Sequence, residues 1–572
     1  MQTASLSHTR KFIPSNFNIT TWDTLKPWLV ELENMPISSP EDLEQFLIKR
    51  SELEGVLEED MAWRYIRMTC DTTIVAHTEA FQFFVQEIEP QVAPFSNAFD
   101  KKVLESGFAD DLKGEAFFVY LRSLNKEVEI FREENIPLLS EIQSEQQQYG
   151  ATTGAMTVTV NGEEQTLQKA AVLLQSTERE LRKEVYELIQ NRRLQDKQKL
   201  DDLFDKLIKL RHQVALNAGF SNFRDYMFKA MGRFEFGPAD CFEFHRSVEK
   251  TTVPILKKMV FERKKNMGLT ALRPWDLAVD EKGRAPIKPF ENGKDLLEKT
   301  IRCFQRTHPF LAECLQKMDT MGHLDLESKI GKAPGGYNYP LDETNVPFIF
   351  MNATSTLRDM VTLLHEGGHA VHSVLVAPQK LNAFKHTPSE VAELASMSME
   401  LITMDAWDEF FANPEDLNRA KREHLQQIID TLPWVATIDK FQHWMYENPE
   451  QTQDERTAVW LEISSQFSSN EVDYSGLEAF KANAWQKQLH LFEVPFYYIE
   501  YGFAQLGAIA VWKNYKENPE KAMKAYFKAL ALGYTAPVNE IYAAADIRFD
   551  FSEAYIAELM AFVSAELDKL PS

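Results

Sequence analysis

Apolar residues recur every three or four positions along most of this 572-residue chain, a spacing that predicts helices. Residues 176–218, for example, place Leu, Val, Ile and Phe at helical spacing between charged and polar side chains. Strand signals are few. Residues 156–167 alternate around Asn161-Gly162, which predicts a hairpin, and residues 346–351 form a short apolar run. We therefore expect a mostly α-helical fold with a few short strands.

The composition and charge restrict the classes of partner. Apolar residues make up 44% of the chain and aromatic residues 12%, enough to fill a large core. The formal net charge of −24 predicts an acidic surface, which disfavours nucleic-acid binding. No uncharged apolar run reaches the roughly 18–20 residues of a membrane span. We expect neither nucleic acid nor membrane as a partner.

The cysteines and the N-terminus predict a cytoplasmic location. The four cysteines are far apart in the sequence, without a C-x-x-C pair, as is typical of free thiols in a reducing compartment. They are Cys70, Cys241, Cys303 and Cys314. The first ten residues lack the apolar segment of a secretory signal.

The domain organisation is weakly marked, because no internal repeat, low-complexity tract or flexible linker separates segments. We predict an N-terminal helical lobe over residues 1–200, which contains the hairpin, and a larger lobe over residues 201–572.

One predicted helix carries a metal-binding pattern. It begins at a capping box, Thr356–Asp359, and ends before Pro378. His365 and His369 are four residues apart, so both imidazoles project from one face and can bind one Zn²⁺. Glu366 lies beside them, placed to contact a water molecule on the metal rather than the metal itself.

Two glycines inside this helix argue against the alternative, a surface helix with incidental histidines. Gly367 and Gly368 each destabilise a helix by roughly 1 kcal/mol relative to Ala. Such a pair is more easily understood if a neighbouring element approaches closely.

The next predicted helix offers the third protein ligand that a catalytic zinc site needs. A capping box at Thr387–Glu390 predicts its start, and Glu393 is its first inward acidic residue. Glu400, two turns later, shares that face and could accept the N–H of a ligand histidine. The competing candidates are Glu390, which we expect to cap the helix, and His386, which precedes it.

The pattern from His365 to His372, followed by Glu393, resembles the thimet-oligopeptidase superfamily of zinc metallopeptidases. The surrounding sequence looks most like the oligoendopeptidase F branch, in segments 347–352 and 490–501 above all. The likeness extends over roughly residues 110–560.

The resemblance implies a set of roles and a fold. His365, His369 and Glu393 would bind one Zn²⁺ per chain, Glu366 would be the general base, and His372 would lie in the surroundings of the metal. The implied fold is a nearly all-helical, zincin-like one, in which two lobes enclose a deep channel that admits unfolded peptides.

The downstream block contains candidate hydrogen-bond donors for a substrate carbonyl oxygen, which gains negative charge during peptide hydrolysis. Pro495 should begin a helix that places Tyr498 and Tyr501 one turn apart. Core packing is the alternative for any single tyrosine. The resemblance favours His490, Tyr498 and Tyr501 as catalytic donors, with Tyr497 as the replacement.

Two further sequence patterns are weaker indications of function. Within Pro334–Tyr339, Gly336 and Tyr337 could contact substrate backbone, although an ordinary turn explains the segment equally well. The remaining histidines that we considered have no metal-binding spacing, and we interpret them as structural or surface residues. They are His212, His245, His308 and His323.

These patterns predict a zinc-dependent metalloendopeptidase that hydrolyses internal bonds of short, unfolded oligopeptides. One alternative is a metallocarboxypeptidase or dipeptidyl carboxypeptidase on a similar scaffold, which needs a cationic group for the substrate's C-terminal carboxylate. Another is a non-catalytic peptide-binding protein that contains zinc.

Overall fold

The computed structural model describes residues 10–329, 331–333 and 335–571. The first nine residues, which bear on the expectation of no secretory signal, lie outside the described residues, as does Pro334 of the glycine-rich segment. The described chain is mostly helical, which confirms the fold class predicted from apolar periodicity. Among the described residues, no helix is long and apolar enough to cross a membrane.

The helices of the first half are numbered in chain order. They are α1 Trp22–Asn34, α2 Pro40–Cys70, α3 Val75–Phe83, α4 Glu89–Leu104, α5 Glu115–Ile130, α6 Asn135–Gly154, α7 Leu167–Ala171, α8 Arg179–Gln195, α9 Lys197–Asn217, α10 Phe223–Ala230, α11 Pro238–Thr251 and α12 Val253–Asn266.

The second half continues the numbering. Its helices are α13 Gly293–Thr307, α14 Pro309–Met321, α15 Leu357–Val376, α16 Asn382–Lys385, α17 Ser389–Ile402, α18 Pro414–Glu447, α19 Gln453–Phe467, α20 Glu478–Ala482, α21 Leu489–Glu493, α22 Ile499–Glu517, α23 Pro519–Ala531, α24 Val538–Ala544 and α25 Glu553–Lys569.

The strands form two small sheets. Strands β1 (Thr157–Val160) and β2 (Glu163–Thr166) pair antiparallel. Their turn has positive φ at Asn161 (54°) and Gly162 (82°), the conformation that favours Asn-Gly in two-residue hairpins. The predicted hairpin is therefore confirmed.

The second sheet contains β3 (Leu324–Glu327), β4 (Tyr337–Tyr339) and β5 (Phe348–Ala353), with β5 in the centre. Strand β3 is parallel to β5, and β4 is antiparallel to it. The apolar run at 346–351 thus contributes a central strand, as its lack of alternation indicates.

The chain divides into two compact units, each assembled from three segments. The first unit comprises the described residues of Met1–Phe131, Lys288–Arg419 and Gly507–Phe549; the second takes the segments between and after these. Both predicted lobes, 1–200 and 201–572, contribute residues to each unit. The division into two lobes near residue 200 stays a prediction.

In the first unit, an apolar cluster fixes the three-stranded sheet against α2. Ala62 and Ile66 of α2 pack with Phe348 and Phe350 of β5, and each of the four side chains is at most 5% exposed. Because β5 leads directly into α15, this packing positions the start of the helix that carries the histidines.

Candidate metal centre

Helix α15 begins at the predicted capping box. Thr356 Oγ1 accepts a hydrogen bond from the Asp359 backbone N–H, and the Asp359 carboxylate accepts one from the Thr356 N–H at 2.9 Å. These two bonds satisfy backbone donors at the helix start. The cap sets the register in which His365 and His369 face the same side.

The two glycines of α15 mark close contacts with neighbouring helices. A Cβ atom at Gly368 would lie 2.6 Å from Ser396 Cα and 2.7 Å from Ala395 O, both backbone atoms of α17. A Cβ atom at Gly367 would lie 2.7 Å from the Phe304 ring of α13. The expectation of close neighbours is confirmed, and the glycines let α17 pack directly against the histidine helix.

Helix α17 begins at Ser389, and the capping box predicted at Thr387–Glu390 is wrong. Pro388 occupies the N-cap position, and no side chain caps the helix there. Proline has no side-chain oxygen that could accept a hydrogen bond from the helix N–H groups. Glu390 is 4% exposed, so it is a buried carboxylate rather than a surface cap.

The structure brings His365, His369 and Glu393 together. One side-chain donor atom of each lies within 4.8 Å of the other two. Glu393 Oε2 is 3.3 Å from His365 Nε2 and 3.8 Å from His369 Nε2. The two imidazole rings are 5.0 Å apart and nearly perpendicular. This set could hold a metal ion.

Two side chains orient members of this group. His365 Nδ1 is 2.6 Å from Glu400 Oε1, and this hydrogen bond leaves Nε2 facing Glu393. Ser396 Oγ donates to Glu393 Oε2 at 3.1 Å. The sequence predicted a role for Glu400 but not for Ser396. Ser396 lies next to Glu393 because it follows it by one turn of α17.

The titration of this group follows from burial and from its neighbours. Burial, against the opposing effect of His365 and with help from the nearby carboxylates of Glu393 and Glu400, raises the pKa of Glu366 to about 7. Burial lowers the pKa of His365, but its hydrogen bonds to Glu393 and Glu400 outweigh burial and raise it well above the usual value.

The other two histidines of α15 have lowered pKa values. Burial lowers the pKa of His369 to about 4. Burial, with a smaller contribution from the neighbouring His369 imidazole, lowers the pKa of His372 to about 3. His372 is 5% exposed and its Nε2 has no hydrogen-bond partner in the described structure.

The glycine-rich segment lies beside the metal-binding group through β4. Asn338 Nδ2 donates to the backbone oxygen of Glu366 at 3.3 Å, a contact that no sequence pattern indicated. Tyr337 stacks on Phe350 and hydrogen-bonds Thr69 through its hydroxyl. Gly336 packs on β5. Substrate contact by Gly336 and Tyr337 remains a prediction.

In the second unit, the downstream block forms an aromatic cluster. His490 Nε2 is 3.4 Å from the Tyr501 hydroxyl, and its ring centre is 4.8 Å from that of Tyr498. Tyr497 joins through Tyr501, at a ring separation of 5.4 Å. All four predicted members therefore lie together.

The predicted start of the helix that carries these tyrosines is wrong. Helix α22 begins at Ile499 rather than Pro495, because Phe496 adopts a positive φ of 66° that interrupts any helix there. Tyr497 and Tyr498 consequently precede the helix, and Tyr501 belongs to its first turn.

Two further groups in the described residues could hold a metal. The first consists of the exposed residues Glu58 and His386 with the buried Asp342, and the second, Cys241, Asp439 and His443, is fully buried. His245, predicted to be a structural or surface residue, is 3% exposed and hydrogen-bonds Asp439 in the buried group. The Cys241/His245 spacing of four residues is a signal that could have found it.

Two family models match the chain. The model of peptidase family M3 matches residues 172–561, and the model of the peptidase M3 N-terminal domain matches residues 12–131.

The curated relatives are matched over only part of their length. Oligoendopeptidase F (plasmid) of Lactococcus lactis subsp. cremoris is 23% identical over 333 residues, which cover 56% of this chain and 53% of that protein. Oligopeptidase PepF of Bacillus subtilis (strain 168) is 28% identical over 151 residues, which cover 26% of this chain and 22% of that protein. The chain thus spans about half the length, or less, of these curated relatives.

Solved structures match nearly all of the chain. PZ peptidase A with an inhibitor is similar with a TM-score of 0.91 at 26% identity, covering 98% of this chain and 99% of that one. Oligoendopeptidase-F from Enterococcus faecium shares the fold with a TM-score of 0.65 at 16% identity, covering 96% and 97%. The family match extends over more than half of the sequence and includes the histidine helix, and it confirms the resemblance that the motifs indicated: this chain belongs to peptidase family M3.

Proposed function

We propose that this chain is a zinc-dependent metalloendopeptidase that hydrolyses internal peptide bonds of short, unfolded oligopeptides. The observation that carries the proposal is the convergence of His365, His369 and Glu393 on one point, with Glu366 next to His365 on the same helix. Peptidase relatives and the family match support the reaction class.

The donor set fits zinc. Two imidazole nitrogens and one carboxylate oxygen are the ligand types of catalytic zinc sites with two histidines and one glutamate. Three protein ligands leave one coordination position for a reactant. Glu400 is hydrogen-bonded to His365 as outer carboxylates are to ligand histidines, which supports the assignment of Nε2 as the binding atom.

The catalytic roles follow from the chemistry of these side chains. The contribution of zinc at such a site is Lewis acidity, which polarises the peptide carbonyl and increases the acidity of water. The Glu366 carboxylate accepts a proton from the attacking water molecule and later donates it to the leaving amine nitrogen.

The aromatic cluster supplies candidate donors for the substrate. We assign His490, Tyr498 and Tyr501 to hydrogen bonds with the carbonyl oxygen, with Tyr497 as the alternative. The support is the family resemblance together with the 3.4 Å contact between His490 and the Tyr501 hydroxyl, which keeps both groups in one cluster.

The proposal is tested by replacing Glu366 with Gln. The amide can neither accept nor return a proton, so kcat for a fluorogenic peptide should fall by roughly 10²–10⁴. Zinc content, measured by mass spectrometry on the same preparation, should not change. Undiminished cleavage by the metal-replete variant would disprove the role of Glu366.

The substrate end that the enzyme recognises needs a separate experiment. An endopeptidase should cut a peptide and its C-terminally amidated form at similar rates, whereas a carboxypeptidase should fail on the amide. A non-catalytic zinc protein should cut neither. The cytoplasmic location remains a prediction.

A further inference from the structure

The second unit contains two pairs of metal-binding residue types on facing helices. Cys241 and His245 lie four residues apart on α11, and Asp439 and His443 lie four residues apart on α18. Residues at this spacing project from the same helix face. Each helix therefore presents two donors toward the other.

We propose that these four residues form a second, structural metal site, which takes a Zn²⁺ ion during folding. The site would be additional to the one on α15 and α17 and separate from it in the chain. It would join two helices of the second unit.

The measured separations suit a shared ion. Single donor atoms of Cys241, Asp439 and His443 lie within 4.8 Å of one another. His245 Nε2 is 2.8 Å and His443 Nε2 is 3.3 Å from the same oxygen, Asp439 Oδ2. Donors around a tetrahedral zinc are about 3.3–3.8 Å apart, given metal–ligand distances of about 2.0–2.3 Å. The two imidazole contacts with Asp439, at 2.8 Å and 3.3 Å, lie near those separations, and the Cys241 thiol lies within 4.8 Å of donor atoms of Asp439 and His443.

The hydrogen bonding of the cluster is incomplete, which points to a missing partner. His443 is 1% exposed, its Nδ1 has no hydrogen-bond partner in the described structure, and its Nε2 makes only a long 3.3 Å contact with Asp439 Oδ2. His245 Nδ1 is likewise without a partner. Leaving a buried polar group without a hydrogen-bond partner destabilises a protein. A bound cation would satisfy the His443 nitrogen that faces Asp439.

The surroundings favour a closed structural site rather than a reactive one. Cys241 and Asp439 are both 0% exposed, so neither thiol nor carboxylate can reach a substrate. The rings of Phe242 and Phe496 lie 4.9 Å and 5.4 Å from the His443 ring and exclude water. One thiolate, two imidazoles and one carboxylate form a complete tetrahedral set with no open position. Zinc is the first-row ion that such mixed S, N and O donors typically hold.

The experiment removes the other zinc ligands first. In the full-length double variant His365→Ala/His369→Ala, expressed with zinc and washed with EDTA, we expect about one zinc per chain by mass spectrometry, because a buried site exchanges slowly. Adding Cys241→Ala should reduce that content at least about tenfold. Adding His386→Ala instead, in the group of Glu58, Asp342 and His386, should leave the zinc content unchanged. A folded double variant without zinc would overturn the proposal, as would retention after Cys241→Ala.

A spectroscopic measurement needs no substitution in the second unit and so avoids misfolded variants. The same double variant, expressed with Co²⁺, should show the near-ultraviolet charge-transfer absorption of a thiolate bound to cobalt. Folded protein that lacks this absorption would contradict the site. Peptide cleavage is not measured in either experiment, so failure of this inference leaves the proposed function untouched.

Discussion

At the scale of single residues, Glu393 is the centre of the candidate catalytic site. One of its oxygens faces both His365 and His369, and the residue is 5% exposed. Removing it leaves two ligands, too few for a stable zinc site. We predict that Glu393→Ala lowers zinc content at least about tenfold, measured by mass spectrometry after gel filtration.

Glu390 provides the matched control for this prediction. It lies one turn before Glu393 on α17 and is equally buried, at 4% exposure. Glu390→Ala should retain the metal, although the loss of a buried carboxylate should lower the melting temperature. If Glu390→Ala loses the zinc and Glu393→Ala keeps it, the ligand assignment is wrong.

Glu400 allows a graded version of the same test. Its hydrogen bond to His365 Nδ1 holds the imidazole ring in place. Outer carboxylates of this kind typically contribute 10–100-fold to metal affinity. We predict a loss in that range for Glu400→Ala, measured by competition with a chromogenic chelator. Glu400→Gln should lose less, because the amide oxygen can still accept the N–H.

At the scale of helices, the contact between α15 and α17 depends on a missing side chain. A methyl group at Gly368 would meet two backbone atoms of α17, which cannot rotate away. Gly368→Ala should therefore push the helices apart and destabilise the protein by about 1–3 kcal/mol or more. At Gly367 the obstacle is the Phe304 ring, a side chain that can move. Thermal melts of both variants should show the larger decrease for Gly368→Ala.

A buried ion pair gives a pH-dependent prediction in the second unit. The Asp276 carboxylate is 0% exposed and accepts hydrogen bonds from Arg179 and Arg182. Burial raises the pKa of Asp276, but the arginine hydrogen bonds and the Arg273 backbone N–H outweigh it, so the net shift is downward. Ionised Asp276 therefore stabilises the fold above the unfolded pKa of about 3.9, and the contribution disappears as the pH falls further.

Asp276→Asn tests this linkage. Breaking a buried ion pair typically destabilises a protein by about 3–5 kcal/mol near neutral pH. The difference between wild type and variant should narrow as the pH falls below about 4, because the wild-type carboxyl becomes neutral. Urea unfolding at a series of pH values measures it. A difference that stays constant into acid would contradict the assigned pKa direction.

Local sequence signals predicted the elements well and their boundaries less well. Three of the predicted features depend only on residues that are close in sequence, and the structure has all of them. They are the helical periodicity, the Asn161-Gly162 turn and the Thr356 cap. The starts of α17 and α22 were wrong, because Pro388 and Phe496 have backbone conformations that helix signals do not encode.

Patterns within one segment of the sequence could not predict contacts between distant segments. Each pair of donors on α11 and α18 is visible in its own helix, but nothing local shows that His245 and Asp439, 194 residues apart, lie 2.8 Å from each other. The same holds for the group of Glu58, Asp342 and His386, whose members come from three separated segments.

At the scale of the whole molecule, each compact unit is built from three chain segments. A linear division near residue 200 could not anticipate this, because apolar periodicity identifies helices without showing which of them pack together. The family resemblance makes one further prediction about the whole molecule: a channel that only extended chains can enter.

The last prediction concerns substrate size and tests that channel. Within the first unit, Glu366 and Glu393 are 7% and 5% exposed, so a scissile bond must reach recessed groups. A folded domain cannot insert its backbone so deeply, whereas an extended chain of ~3.3 Å per residue can. A water-excluding site would also strengthen the hydrogen bonds that act on the substrate.

We therefore expect cleavage of flexible peptides of roughly 5–20 residues. A native globular protein and internal bonds of a large denatured protein such as reduced casein should resist. Mass spectrometry after incubation with equal enzyme compares the three substrates. Efficient cuts throughout the denatured protein would instead require an open cleft, even if every zinc ligand were assigned correctly.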